Sequence, residues 1–193
     1  MKRFIVGVVA FSFVTAATAG PLGLEFGSSL ASMANLKLKK EKPYMYSASS
    51  LPKGHPDFDD YRLVISPKLG LCKYSAYISN VSTNTYGDSL KQKYNSLLEA
   101  LTAKYGTPRS FDFLQKGSIW NEPRDFMTGL KKEERALASY WTSEKLSLPD
   151  DIGVIALKAM AVTDNSGMIS VTYSGTNESD CIDSINEQRN SNL

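Results

Sequence analysis

Five stretches of this chain put an apolar or aromatic residue at every second position, and their order excludes most architectures. Tyr61 to Ser66 alternates with Tyr61, Leu63 and Ile65 on one side, and Pro67-Lys68-Leu69-Gly70 turns the chain into a second run, Leu71 to Ser79. That pair reads as a hairpin. In its second strand Cys72, Tyr74, Ala76 and Ile78 alternate, which predicts Cys72 on the apolar face. The other runs, Leu137 to Ser143, Ile152 to Val162 and Met168 to Ser174, come late in the chain. Thr163-Asp164-Asn165-Ser166-Gly167 supplies turn chemistry between the last two. Ile155, Leu157 and Ala159 mark one face of the long strand, and Ile169, Val171 and Tyr173 one face of its partner.

Between the two groups of strands the period changes. Leu90, Tyr94, Leu97, Leu98, Leu101 and Tyr105 form one stripe at helical spacing, with Asp88 or Ser89 to cap it and Gly106 and Pro108 to end it. A shorter helix is marked by Asn121 as cap, Pro123 in the first turn, and Phe126, Met127 and Leu130 inward. Two further short helices are expected, one capped by Ser28 or Ser29 and reaching Asn35, the other opened by Cys181 and running from Ile182 to Arg189. Lys37 to Asp60 is polar and broken by Pro43, Pro52, Gly54 and Pro56, with a short strand at Tyr44 and Tyr46. No strand-helix-strand alternation of the parallel kind is present. The expected class is α+β, an antiparallel sheet of about five strands with helices packed on one face and Leu97, Leu101, Leu157 and Val171 in the core.

The N-terminus says where such a domain works. Lys2 and Arg3 precede an apolar run from Phe4 to Val14, and Ala17-Thr18-Ala19 gives a small-x-small cleavage pattern before Gly20. Residues 1–19 read as a cleavable signal peptide, leaving 20–193 as a single α+β domain, periplasmic or secreted. The apolar run is shorter than the roughly 20 residues a bilayer requires, so no membrane span is expected after cleavage. Removing Lys2 and Arg3 from the 22 basic residues leaves 20, equal to the 20 acidic ones. A chain so balanced lacks the positive field that supplies nucleic-acid affinity, and nucleic acid is set aside as a partner.

Export also bears on the two cysteines, Cys72 and Cys181, because the compartment is oxidising. A disulfide between them is the natural reading, and its long loop removes about 4 to 5 kcal/mol of unfolded-state entropy in the chain-entropy model. Two free thiols, or a bond to another chain, are the alternatives.

Catalytic motifs are scarce. His55 is the single histidine, and Asp57, Asp59 and Asp60 follow it closely, a set of ligand types that can hold a divalent cation. The spacing matches neither a zinc site nor the twelve-residue calcium loop, and a solvated, Pro-rich loop is the plainer reading of His55, Asp57 and Asp59. The adjacent pairs Glu133-Glu134 and Asp150-Asp151 offer carboxylates for acid-base work, which needs two of them facing each other across a cleft. No Gly-rich phosphate loop, Cys-x-x-Cys or His-Glu-x-x-His occurs, and no cofactor is implied. The aromatic inventory is large: 10 tyrosines and 2 tryptophans. Tyr44, Tyr46, Phe58 and Trp120 fall in irregular segments, where an exposed aromatic suits a partner surface.

Two patterns resemble known proteins. Leu24-Glu25-Phe26-Gly27-Ser28-Ser29, opening a short helix ahead of strands, resembles the first motif of small exported α+β domains of the BamE-like and beta-lactamase-inhibitor-like type. A clear second copy of that motif is lacking. Gly70-Leu71-Cys72-Lys73, Tyr86-Gly87, Lys104-Tyr105-Gly106-Thr107-Pro108, Trp120-Asn121-Glu122 and the late Cys181 together resemble uncharacterised exported bacterial proteins. The first resemblance implies action by protein binding, and with the absence of a catalytic set it leads to the expectation of a non-enzymatic binding protein of the bacterial envelope, contacting a protein or surface component through its loops. Two alternatives stand beside it: a small envelope hydrolase using carboxylates such as Asp57, Asp59 or Asp150, and a carrier of a small apolar ligand.

Overall fold

Among the described residues, eight strands pair antiparallel into one sheet in the computed structural model, which describes residues 20–191. The expected signal peptide at 1–19 lies outside the described residues. A first meander consists of Lys39–Lys42 (β1), Met45–Ala48 (β2), Asp60–Ser66 (β3) and Gly70–Ser82 (β4). A second consists of Arg109–Leu114 (β5), Arg135–Thr142 (β6), Ile152–Thr163 (β7) and Ser166–Gly175 (β8). The order across the sheet is β1-β2-β3-β4-β8-β7-β6-β5, so the meanders join where β4 pairs with β8. Asp88–Tyr105 (α1) crosses from β4 to β5, Phe126–Lys131 (α2) lies between β5 and β6, and Glu178–Asn190 (α3) follows β8. No helix among the described residues is long and apolar enough to cross a membrane.

The expected sheet of about five strands, with its helices on one face, is therefore corrected in two respects. The strand count is the first. The five alternating runs become β3, β4, β6, β7 and β8, the short strand expected at Tyr44 and Tyr46 becomes β2, and β1 and β5 are added. β1 is Lys-Lys-Glu-Lys with all four residues exposed, and in β5 Phe113 is 53% exposed, so neither carries the alternation that burial on one face imposes. These two are the sheet's edges.

The placement of the helices is the second. Residues directly opposed on antiparallel strands share a face, which groups Tyr74 with Tyr173 and Ile155, and Ala76 with Val171, Leu157 and Ser139. Leu90, Tyr94, Leu97, Leu101 and Tyr105 of α1 are buried on that face. The Tyr94 and Ser139 hydroxyls share a hydrogen bond of 2.7 Å there, and Trp141 Nε1 donates to the Gly106 carbonyl at 2.7 Å. Each large core side chain, Leu157 among them, contributes about 1.5 to 3 kcal/mol by leaving water. α3 packs on the reverse side of β3 and β4. Lys73, which alternates with Tyr74, pairs with Glu178 at 2.6 Å, and the Ser66 and Ser184 hydroxyls meet at 3.3 Å.

A bulge explains the departure. Lys73 opposes Val64 but Leu71 opposes Ile65, so Cys72 is an extra residue, released from the alternation with Tyr74 that the sequence predicts. It forms the disulfide with Cys181, a residue inside α3, across a Cα separation of 6.1 Å. Gly70, in the left-handed region at φ 72°, opens this strand where a Cβ would collide with the Gly27 carbonyl.

Two local expectations also change. Gly87, not Asp88 or Ser89, precedes α1, and its first amides are capped from upstream: Asp88 N–H donates to Asn84 Oδ1 at 3.2 Å and Ser89 N–H to Thr83 Oγ1 at 3.1 Å. The helix expected from Ser28 to Asn35 is a series of turns, in which Ser29 Oγ accepts from Ser32 N–H, followed by a single 3-10 turn at Ala34–Leu36.

Candidate functional site

The second half of α1 lies along the sheet without being covered on its outer side, and a segment far upstream closes back over it. Lys53 N–H donates to the Leu22 carbonyl at 3.0 Å, and Phe58 N–H to the His55 carbonyl at 3.1 Å, folding residues 53–58 into a turn. Lys93 Nζ reaches Asp57 Oδ2 at 3.1 Å and ties that turn to α1. Between them is an open groove of about 430 Å3. Its floor is Leu97, Leu101, Val171, Tyr173 and Tyr105, all buried. Lys53, His55, Lys104 and Asp150 form the rim, and Pro21 closes one end.

The floor continues into a stack of aromatic rings. Tyr173 stacks on Tyr74 at a centroid distance of 5.2 Å, Tyr105 meets Tyr173 edge-on at 6.5 Å, and Phe26 lies 5.4 Å from Tyr74. Burial pushes the Tyr74 and Tyr173 phenols well above the ordinary tyrosine range, and Tyr74 donates to the Pro21 carbonyl at 2.9 Å. Tyr105 is different: it is 6% exposed, its hydroxyl is sealed from solvent without a hydrogen bond of standard length among the described residues, and it helps to hold the Tyr173 proton.

Asp150 and Asp151 both sit in the left-handed region, at φ 58° and 57°, which side chains adopt at a cost. The strained turn is held at both ends, by Ile152 N–H on the Pro149 carbonyl at 3.1 Å and Thr176 N–H on the Asp151 carbonyl at 2.8 Å. It places Asp150 on the groove rim, next to the buried Gly20.

The residues singled out from the sequence are dispersed. Of Asp57, Asp59 and Asp150, only Asp150 lines the groove, while Asp57 is engaged by Lys93 and Asp59 accepts from the Ser79 N–H and hydroxyl. Other hollows indent the surface, with Glu144 in one and Glu25 in another, and neither of those two holds a second carboxylate. His55 accepts from Asp57 N–H at Nδ1, 3.3 Å away, and no group of three metal-ligand side chains gathers among the described residues.

The four aromatics do not make one surface. Tyr46 is in β2 and Tyr44 just before it, half-buried, whereas Trp120 lies between β5 and α2. Six strand spacings separate β2 from β5, roughly 30 Å along the ladder. Phe58, packed edge-on against Tyr61 at 6.4 Å, lines the groove.

Sequence reasoning assigned Leu97, Leu101, Tyr105 and Tyr173 to the core and passed over Lys53 and Lys104. A helical stripe gives no sign that one end of it lines a groove. The Pro-rich stretch around Pro52 and Pro56 marked a loop, but nothing local says where that loop lands. No family model, curated protein or solved structure matches the chain. Its function is argued from its own residues.

Proposed function

We propose that this chain is an exported, non-enzymatic binding protein of the bacterial envelope, and that the groove between α1 and residues 53–58 holds its ligand. The observation that carries the reading is the groove of about 430 Å3 itself, with an apolar floor of Leu97, Leu101 and Val171 under a rim that carries Lys53 and Lys104. Small-molecule sites are concave, largely apolar and supplied with a few convergent polar groups, and their volumes run from roughly 300 to 1,000 Å3. The single carboxylate of the groove, Asp150, favours binding over the hydrolase alternative, which needs two. The signal peptide read over 1–19 and the disulfide agree with a place outside the cytoplasm.

Native mass spectrometry of the protein purified from envelope extract tests the reading. The expected species begins at Gly20 and carries an added mass that Ala100→Trp removes, since Ala100 is an exposed residue of the groove wall and a Trp there fills the space. Bare protein in both forms sinks the proposal. An added mass of protein size identifies a partner chain, and a small one identifies a carried ligand.

A further inference from the structure

We infer that the ligand is a single-chain amphiphile with an anionic head, an inference that rests on the groove being the binding site. The floor and the rim differ in kind. Below, Leu97, Leu101 and Val171 offer a continuous apolar surface with no charged group among them. Above, Lys53 and Lys104 face one carboxylate, Asp150, and neither lysine joins an ion pair among the described residues. Lys104 Nζ instead rests 4.9 Å from the centroid of the Tyr105 ring, at the edge of the groove.

The two lysines set the chemistry. An anionic oxygen accepts from an ammonium, and charge-assisted bonds of this kind are about twice as strong as neutral ones. A cationic head meets two lysines and a neutral head leaves them unpaired. About 430 Å3 is near the bottom of the range for small-molecule sites and suits one alkyl chain.

Calorimetric titration with three C12 probes below their micellar concentrations, dodecanoate, 1-dodecanol and dodecylammonium, tests the inference. Dodecanoate is expected to bind at least about tenfold more tightly than dodecanol, equivalent to 1.4 kcal/mol, with dodecylammonium weakest. Lys53→Gln with Lys104→Gln abolishes the preference while leaving dodecanol binding in place. Equal binding of all three probes, or a preference for the cation, overturns the anionic head and leaves the groove as a site. No binding by any probe overturns both. Vesicles of dioleoylphosphatidylglycerol separate a free amphiphile from a membrane surface: binding to vesicles in preference to dodecanoate also overturns the inference.

Discussion

Tyr74, Tyr94 and Tyr173 hold their phenol protons more firmly than a free tyrosine, because each would have to place a phenolate in the core between α1 and the sheet. A neutral acid whose folded pKa is raised contributes stability that is complete below the unfolded value and is lost as pH rises through the folded one. The unfolded value is about 10, so stability is expected to hold to about pH 9 and then fall, by up to about 1.4 kcal/mol per pH unit for each tyrosine. Urea unfolding between pH 8 and 11.5 reads this directly, and a flat profile contradicts the burial of these rings. At this scale the sequence was partly legible. Tyr94 and Tyr173 stand on apolar stripes and their burial follows from period alone, but Cys72 does not keep to its stripe, since a one-residue bulge leaves no mark in the pattern of Leu71 to Ser79. Asp150 stood out as one of an adjacent acidic pair, yet its place on the groove rim comes from a left-handed turn that the doublet does not announce.

α1 shows what makes an element readable. Its stripe is packed on the sheet and its C-terminus, Tyr105 closed by Gly106, is where the periodicity predicts, while it starts at Asp88, inside the expected cap. The start is held by two side chains outside the helix, and Asn84→Ala is expected to cost about 1 kcal/mol, measured as a shift in the urea midpoint. Asn84 Nδ2 also donates to Asp88 Oδ2 at 2.8 Å, so Asn84→Asp removes that donor while keeping the cap to Asp88 N–H. It should recover part of the loss. β1 and β5 were illegible for the opposite reason. Strand patterns are written by burial on one face, and edge strands that bury little, such as Lys39–Lys42 with all four residues exposed, read as polar loop. The two edges also differ in chemistry. The lysines of β1 discourage pairing with another chain, whereas β5 carries Phe111 and Phe113 with Arg109 4.8 Å over the Phe111 ring.

Across the whole molecule, the two meanders and their α1 crossover are stitched by one covalent bond of sequence separation 109. Reduction, or Cys72→Ala with Cys181→Ala, is expected to lower stability by about 4 kcal/mol, with guanidinium unfolding in the presence and absence of reductant as the measurement. The same bond was the one long-range contact the sequence disclosed. The groove was not disclosed, because it is assembled from residues near 21, 53–58, 97–105, 150 and 171–173, which come together only when the sheet has formed. Local periodicity describes each piece and is silent on their meeting. The covalent loop has one more effect, on how the protein ages. All the chain from α1 through β8 lies between the two cysteines, including the exposed Lys131 and Lys132 at the end of α2 and the largely exposed stretch 143–151. A protease that cuts at either place severs the backbone but releases no fragment. The nicked molecule remains one covalent body with both walls of its groove attached, and its lifetime in the presence of a protease is set by the second cut within the loop.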